Sequence, residues 1–199
     1  MSTSATLARS WKNIPPYVSN GVRNNDKPVY NASCQCGAVR YRALVDPLDA
    51  KLCHCRDCQK LHGAPFEWVC IFRKTSIEFI SGLEQLYFWS EGLGRGFGSR
   101  ERSELEKNAK KNNIFSLPVK VSCSKCRSPI ADEGRNMWLA YGTLFNFDGG
   151  KIPPSFRHTC HLFYSQRVLD IPDNKPKWMG HRRKSPLWKS SVRGNIVGP

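Results

Sequence analysis

Seven of the nine cysteines fall into three tight groups: Cys34-x-Cys36, Cys53-His54-Cys55-x-x-Cys58 and Cys123-x-x-Cys126. Such short spacing puts sulfurs on one side of a tight turn, where they can share a tetrahedral ion at ~2.3 Å. Cysteines that only fill a core have no reason to pair at these intervals. Seven thiolates cannot complete two four-ligand sites, so the simplest partition is four plus three. Cys34, Cys36, Cys123 and Cys126 make a closed structural zinc site that joins two distant segments. Cys53, Cys55 and Cys58 supply three ligands, and a zinc ion held that way keeps a position for water or a substrate atom. A histidine could close that site instead, with His62, His158 and His161 as candidates. His54, flanked by two proposed ligands, is expected to point elsewhere. The expectation is two zinc ions per chain. Cys70, inside an apolar run, and Cys160 read as core thiols.

The rest of the composition agrees with a reduced, metal-binding chain. Its 199 residues and 40% hydrophobic content suit a globular domain with its own core. The N-terminal residues contain no apolar stretch of the signal-peptide kind, and no apolar run is long enough to span a membrane. The odd cysteine count and close spacing favour thiols over disulfides, so the expected compartment is the cytoplasm, with the nucleus as a second option. The acid-free stretch before Asp26, with Arg9, Lys12 and Arg23, gives a slighter likeness to a mitochondrial transit peptide. A formal charge of +15 attracts anionic partners, whether nucleic acid or small acidic metabolites.

The elements that must position the thiols read mainly as short strands. Ala38 to Leu44, Phe66 to Phe72, Ile77 to Ile80, Leu86 to Trp89, Met137 to Tyr141 and Leu162 to Tyr164 carry strand-forming or alternating patterns. A single helical turn is expected from Asp57 to His62, stopped by Gly63 and Pro65. Residues 1–28 read as a flexible arm, 29–180 as one zinc domain and 181–199 as a basic disordered tail. Within the domain, the glycine-rich and charged segment 91–113 reads as an exposed insertion with a short helix near 101–111.

The motifs also resemble a known family. Cys34-Gln35-Cys36-Gly37-Ala38-Val39-Arg40-Tyr41 resembles the opening C-x-C-G-x-V-x-[FY] of the glutathione-dependent formaldehyde-activating enzyme family, which also contains centromere protein V. Cys53-His54-Cys55-Arg56-Asp57-Cys58 matches its C-H-C-x-x-C, and His62-Gly63-Ala64-Pro65-Phe66 continues the likeness. Cys123 to Cys126 with Pro129 resembles the last knuckle. Tyr141-Gly142-Thr143-Leu144 and His161 through Trp178 resemble the closing part.

The resemblance implies a mainly β fold, the β-tent of coiled antiparallel sheets around zinc with few short helices. It implies the same four-plus-three partition, with Cys53, Cys55 and Cys58 at the catalytic metal. It implies a carbon–sulfur lyase that takes glutathione as co-substrate and adds it to formaldehyde, giving S-hydroxymethylglutathione. The expected partners are therefore a small thiol and an aldehyde, and His62 and His161 are the candidate catalytic proton carriers. A zinc-braced binding protein using the basic tail and the insertion on nucleic acid or protein is the alternative. Three features depart from the family pattern: Ala32 where glycine often stands, Arg127 in place of the glycine after the last cysteine, and the length of 91–113. The lost glycine would otherwise tolerate a positive φ, so Arg127 carries an expected cost of ~1 kcal/mol.

Overall fold

The computed structural model describes residues 29–112 and 117–189, with only the backbone of 106–112. The expected arm over 1–28 and the tail from 190 onward lie outside the described residues. The described chain is mainly β, with two α-helices. In order, the elements are β1 (Tyr30–Ser33), β2 (Arg40–Ala43), β3 (Asp49–Cys53), α1 (Arg56–His62), β4 (Glu67–Arg73), β5 (Ile77–Ser81), β6 (Leu86–Ser90), β7 (Arg95–Gly98), α2 (Ser99–Asn112), β8 (Val119–Cys123), β9 (Pro129–Glu133), β10 (Met137–Tyr141), β11 (Phe145–Asn146) and β12 (Cys160–Leu162). The described residues divide into two compact units, one within Met1–Ala50 and Trp68–His158 and the other within Lys51–Glu67 and Thr159–Pro199. Among the described residues, no helix is long and apolar enough to cross a membrane.

The first unit holds the hydrophobic core. One of its sheets runs β11-β1-β2-β5, and another series of strands runs β4-β10-β9-β8-β6-β7. Alternation decides which side chains go inward. In β8, Val119, Val121 and Cys123 are buried while Lys120 and Ser122 are not. β10 pairs antiparallel with β4 so that Trp138 faces Phe72 and Ala140 faces Cys70. Tyr41, Phe72, Phe88 and Trp138 are fully buried. Each such side chain contributes about 1.5–3 kcal/mol through removal of apolar surface from water. The Tyr141-Gly142 motif has a packing reason: a Cβ on Gly142 would stand 2.3 Å from a Trp68 ring atom, so only glycine lets that indole close against the backbone.

Within 91–113, the helix expected near 101–111 is present as α2, and it is preceded by β7, which pairs antiparallel with β6 and was not expected. Phe97 and Arg102 are buried. Arg102 reaches the fully buried carboxylate of Glu133, with Nη2 to Oε1 at 3.0 Å, and Lys74 Nζ meets the same oxygen at 2.8 Å. Burying these charges is tolerable because each is ion-paired and the Arg102 guanidinium also lies 4.4 Å over the Phe88 ring.

The second unit is built differently. β12 runs parallel to β3, pairing His161 with Leu52 and Leu162 with Cys53. α1 follows directly, with Cys55 at its N-cap and Gly63 at its C-cap. The C-terminal stretch folds back on β12: His161 exchanges backbone bonds with Pro176 and Trp178 at 2.9 and 3.0 Å. Residues 181–189, expected to lack order, form a turn, and the Trp188 amide bonds the Lys177 carbonyl at 2.6 Å. The physical reason is the Trp188 ring, which sits 4.3 Å beneath the Arg167 guanidinium.

Candidate metal centres

In the first unit, Cys34 and Cys36 flank the turn after β1, and Cys123 ends β8, with Cys126 in the turn that follows. The four sulfurs lie within 4.8 Å of one another. Cys34 Sγ is 3.6 Å from Cys36 Sγ, and Cys36 Sγ is 3.9 Å from Cys123 Sγ. The two knuckles are joined by the Gln35 amide, which donates to Ser128 Oγ at 3.1 Å. Arg127 has a φ of 62°, the conformation for which the missing glycine is suited. Its guanidinium lies 5.3 Å over the Tyr87 ring, a contact glycine cannot make. Burial pushes Cys123 up to about 11. Burial also raises Cys126, but hydrogen bonds from the Ser128 hydroxyl and N–H outweigh it and hold that thiol down at about 5.

In the second unit, Cys53 ends β3, Cys55 caps α1 and Cys58 sits in its first turn. Their sulfurs also lie within 4.8 Å of one another, with Cys58 and Cys53 at 3.7 Å. The Cys58 amide donates to Cys55 Sγ at 3.4 Å, which brings helix and thiols together. Cys58 is buried, while Cys53 and Cys55 are partly accessible. Among the described residues, no histidine or carboxylate joins this group of three. Without a cation the thiols resist joint deprotonation. Hydrogen bonding with Cys55 pushes Cys53 up to about 12, and Cys53 and Cys55 push Cys58 far above its ordinary range. A bound cation relieves that repulsion, so both donor sets can hold a metal ion.

A family model described as glutathione-dependent formaldehyde-activating enzyme matches residues 29–166. The chain belongs to this family. The match takes in all seven clustered cysteines. No curated protein matches the chain. Among solved structures, a Rhodobacter sphaeroides protein is similar at 19% identity, covering 62% of this chain and 97% of that one, with a TM-score of 0.39.

Around the Cys53–Cys58 segment, the histidines take distinct places. His54 is fully buried and its Nε2 stands 3.0 Å from Nδ1 of His161, also fully buried. His161 Nε2 lies 3.0 Å from Asp173 Oδ1, and Lys177 Nζ meets the same oxygen at 2.8 Å. Burial first, then the charges of His161, Arg167 and Lys177, push His54 down to about 4. His62, at the end of α1, faces Glu67 with Nε2 to Oε2 at 3.4 Å. Cys70 and Cys160 are buried, as core thiols are. Sequence reasoning singled out His161 but passed over Asp173 and Gln59. Gln59 Nε2 donates to the His54 carbonyl at 2.6 Å and to the Gln166 carbonyl at 2.9 Å. Its place directly after the last cysteine is a spacing signal, but one of its two partners lies 107 residues away.

Proposed function

We propose that this chain is a zinc-dependent carbon–sulfur lyase-type enzyme that adds glutathione, or a close thiol relative, to formaldehyde. The observation that carries the reading is the group Cys53, Cys55 and Cys58: three converging sulfurs with no fourth protein donor among the described residues. These residues would hold the reactive ion, and Cys34, Cys36, Cys123 and Cys126 a purely structural one. Zinc bound to three thiolates lowers the pKa of a thiol at its remaining position while leaving that sulfur nucleophilic.

The chain's own groups supply the rest. The loop from Cys53 to Cys58 is held at His54, whose amide donates to the Leu162 carbonyl at 2.9 Å and whose carbonyl accepts from Gln59, the residue after Cys58. That rigidity places the incoming thiol against the aldehyde. In the addition the carbon–sulfur bond forms, the carbonyl π bond breaks, and the proton from the thiol ends on the hydroxymethyl oxygen. His62, paired with Glu67, is the group we assign to carry that proton. His161 is fully buried with both ring nitrogens engaged, so its contribution runs through His54 rather than by touching substrate. The basic balance of the chain favours approach of a substrate with two carboxylates.

The test is product formation. Zinc-loaded protein with glutathione and 13C-formaldehyde is expected to accelerate the appearance of S-hydroxymethylglutathione in carbon NMR. Cys55→Ser is expected to remove the acceleration with the fold retained. A rate equal to the uncatalysed one would defeat the proposal.

A further inference from the structure

Behind the three-thiol loop lies a chain of polar side chains in which the proton positions follow from one end. Asp173 accepts from Lys177 Nζ at 2.8 Å and from the Lys175 amide at 3.2 Å. A carboxylate set against an ammonium and an amide offers acceptors only. His161 Nε2, 3.0 and 3.1 Å from the two Asp173 oxygens, must therefore carry a proton. A neutral His161 then presents a lone pair at Nδ1. His54 Nε2, 3.0 Å from that nitrogen, must be the donor. His54 Nδ1 is left as a pure acceptor, buried and without a hydrogen-bond partner among the described residues. Both rings are held in place by Tyr164, which packs edge-on at 5.0 Å from His54 and 5.2 Å from His161, and Phe66 lies 5.4 Å from His54.

His54 stands between Cys53 and Cys55, so whatever fixes its side chain also fixes the backbone that carries both sulfurs. We propose that Asp173, acting through His161, holds His54 in its Nε2–H tautomer and thereby sets the placement of the Cys53–Cys58 loop. Asp173 and His161 are then positioning residues, and His54 Nδ1 is a buried acceptor that a trapped water or another donor satisfies. The inference deepens the proposed reading of the three-cysteine site and depends on it for its functional consequence, though not for the tautomer itself.

The experiment uses the full chain, zinc-loaded and 15N-labelled, with long-range proton–nitrogen correlation of the imidazoles. Wild type is expected to show His54 and His161 each protonated at Nε2 and bare at Nδ1. Asp173→Asn removes the fixed direction, and both rings are expected to leave that pattern. Cobalt bound at the three-cysteine site is expected to show an altered absorption band and about tenfold weaker affinity, in line with what supporting residues contribute to metal sites. Asp173→Glu is expected to restore part of both. A wild-type His54 protonated at Nδ1 would overturn the proposal, as would an Asp173→Asn variant with unchanged nitrogens and cobalt band. The wild-type pattern decides the matter alone should Asp173→Asn fail to fold. Because the nitrogens are read without substrate, lack of turnover defeats the proposed activity and leaves the tautomer assignment standing.

Discussion

The four-cysteine cluster joins turns 87 residues apart, and three of its members belong to the hydrophobic core or pack against it. The three-cysteine cluster spans only five residue steps and is backed by polar groups, His54, His161 and Asp173. Closing a long loop on four sulfurs couples the ion to folding of the whole first unit. Closing a short loop on three cannot clamp a fold. It takes its geometry from neighbouring hydrogen bonds, and in the proposed reading it keeps a coordination position free for chemistry. In the proposed reading the same amino acid serves a brace in one unit and a reactive centre in the other, and loop length with donor count distinguishes them.

The largest expected contrast comes from paired thiol substitutions. Cys123→Ser is expected to abolish cooperative thermal unfolding of the first unit, since structural zinc supplies on the order of 10 kcal/mol of folding free energy. Cys55→Ser is expected to lower the metal content while leaving that unfolding transition in place. Equal damage in circular dichroism melts would erase the distinction. Next, Glu133→Ala leaves Lys74 and Arg102 buried without their carboxylate and is expected to cost about 3–5 kcal/mol by urea unfolding. Cobalt absorption at the three-cysteine site is expected not to change in that variant.

A third effect belongs to the polar backing of the second unit. Unfolded His54 takes up a proton near its ordinary 6.5, whereas the folded residue refuses it until about 4. Its contribution to stability is thus complete above pH 6.5 and is lost as pH falls toward 4, by up to about 3 kcal/mol. Stability measured against pH is expected to fall less steeply in His54→Gln than in wild type across that window, and parallel slopes would remove the effect. The smallest change is expected at Arg127→Gly, which relieves the positive φ but gives up the contact with Tyr87. A net gain of about 0.5–1 kcal/mol in urea unfolding is expected. A loss would mean that the ring contact outweighs the backbone strain.

Much of this contrast was legible in the residues. The cysteine spacing separated the two groups, and the strand-forming or alternating runs marked β2, β4, β5, β6 and β10. Arg127 was readable as a positive-φ position because glycine was missing there. β9 was not readable: it starts with Pro129 and ends in Asp132 and Glu133, the composition of a loop. Asp132 pairs with Lys120 and accepts from the Tyr141 hydroxyl, both on neighbouring strands, and Glu133 pairs with Lys74 and Arg102, 59 and 31 residues away. In the 91–113 segment the helix was readable but the burial of Arg102 was not, because its side chain looks solvent-bound until Glu133 is placed beside it. Likewise, nothing near His54 reveals that its partner is His161, 107 residues on.

The central claim is that the second thiol cluster accepts a sulfur from outside the protein. Cobalt-loaded chain titrated with glutathione tests it directly, through the sulfur-to-cobalt charge-transfer absorption. The account predicts a new band that saturates at one glutathione per chain and is absent in Cys55→Ser. A spectrum unmoved by glutathione in wild type would contradict it.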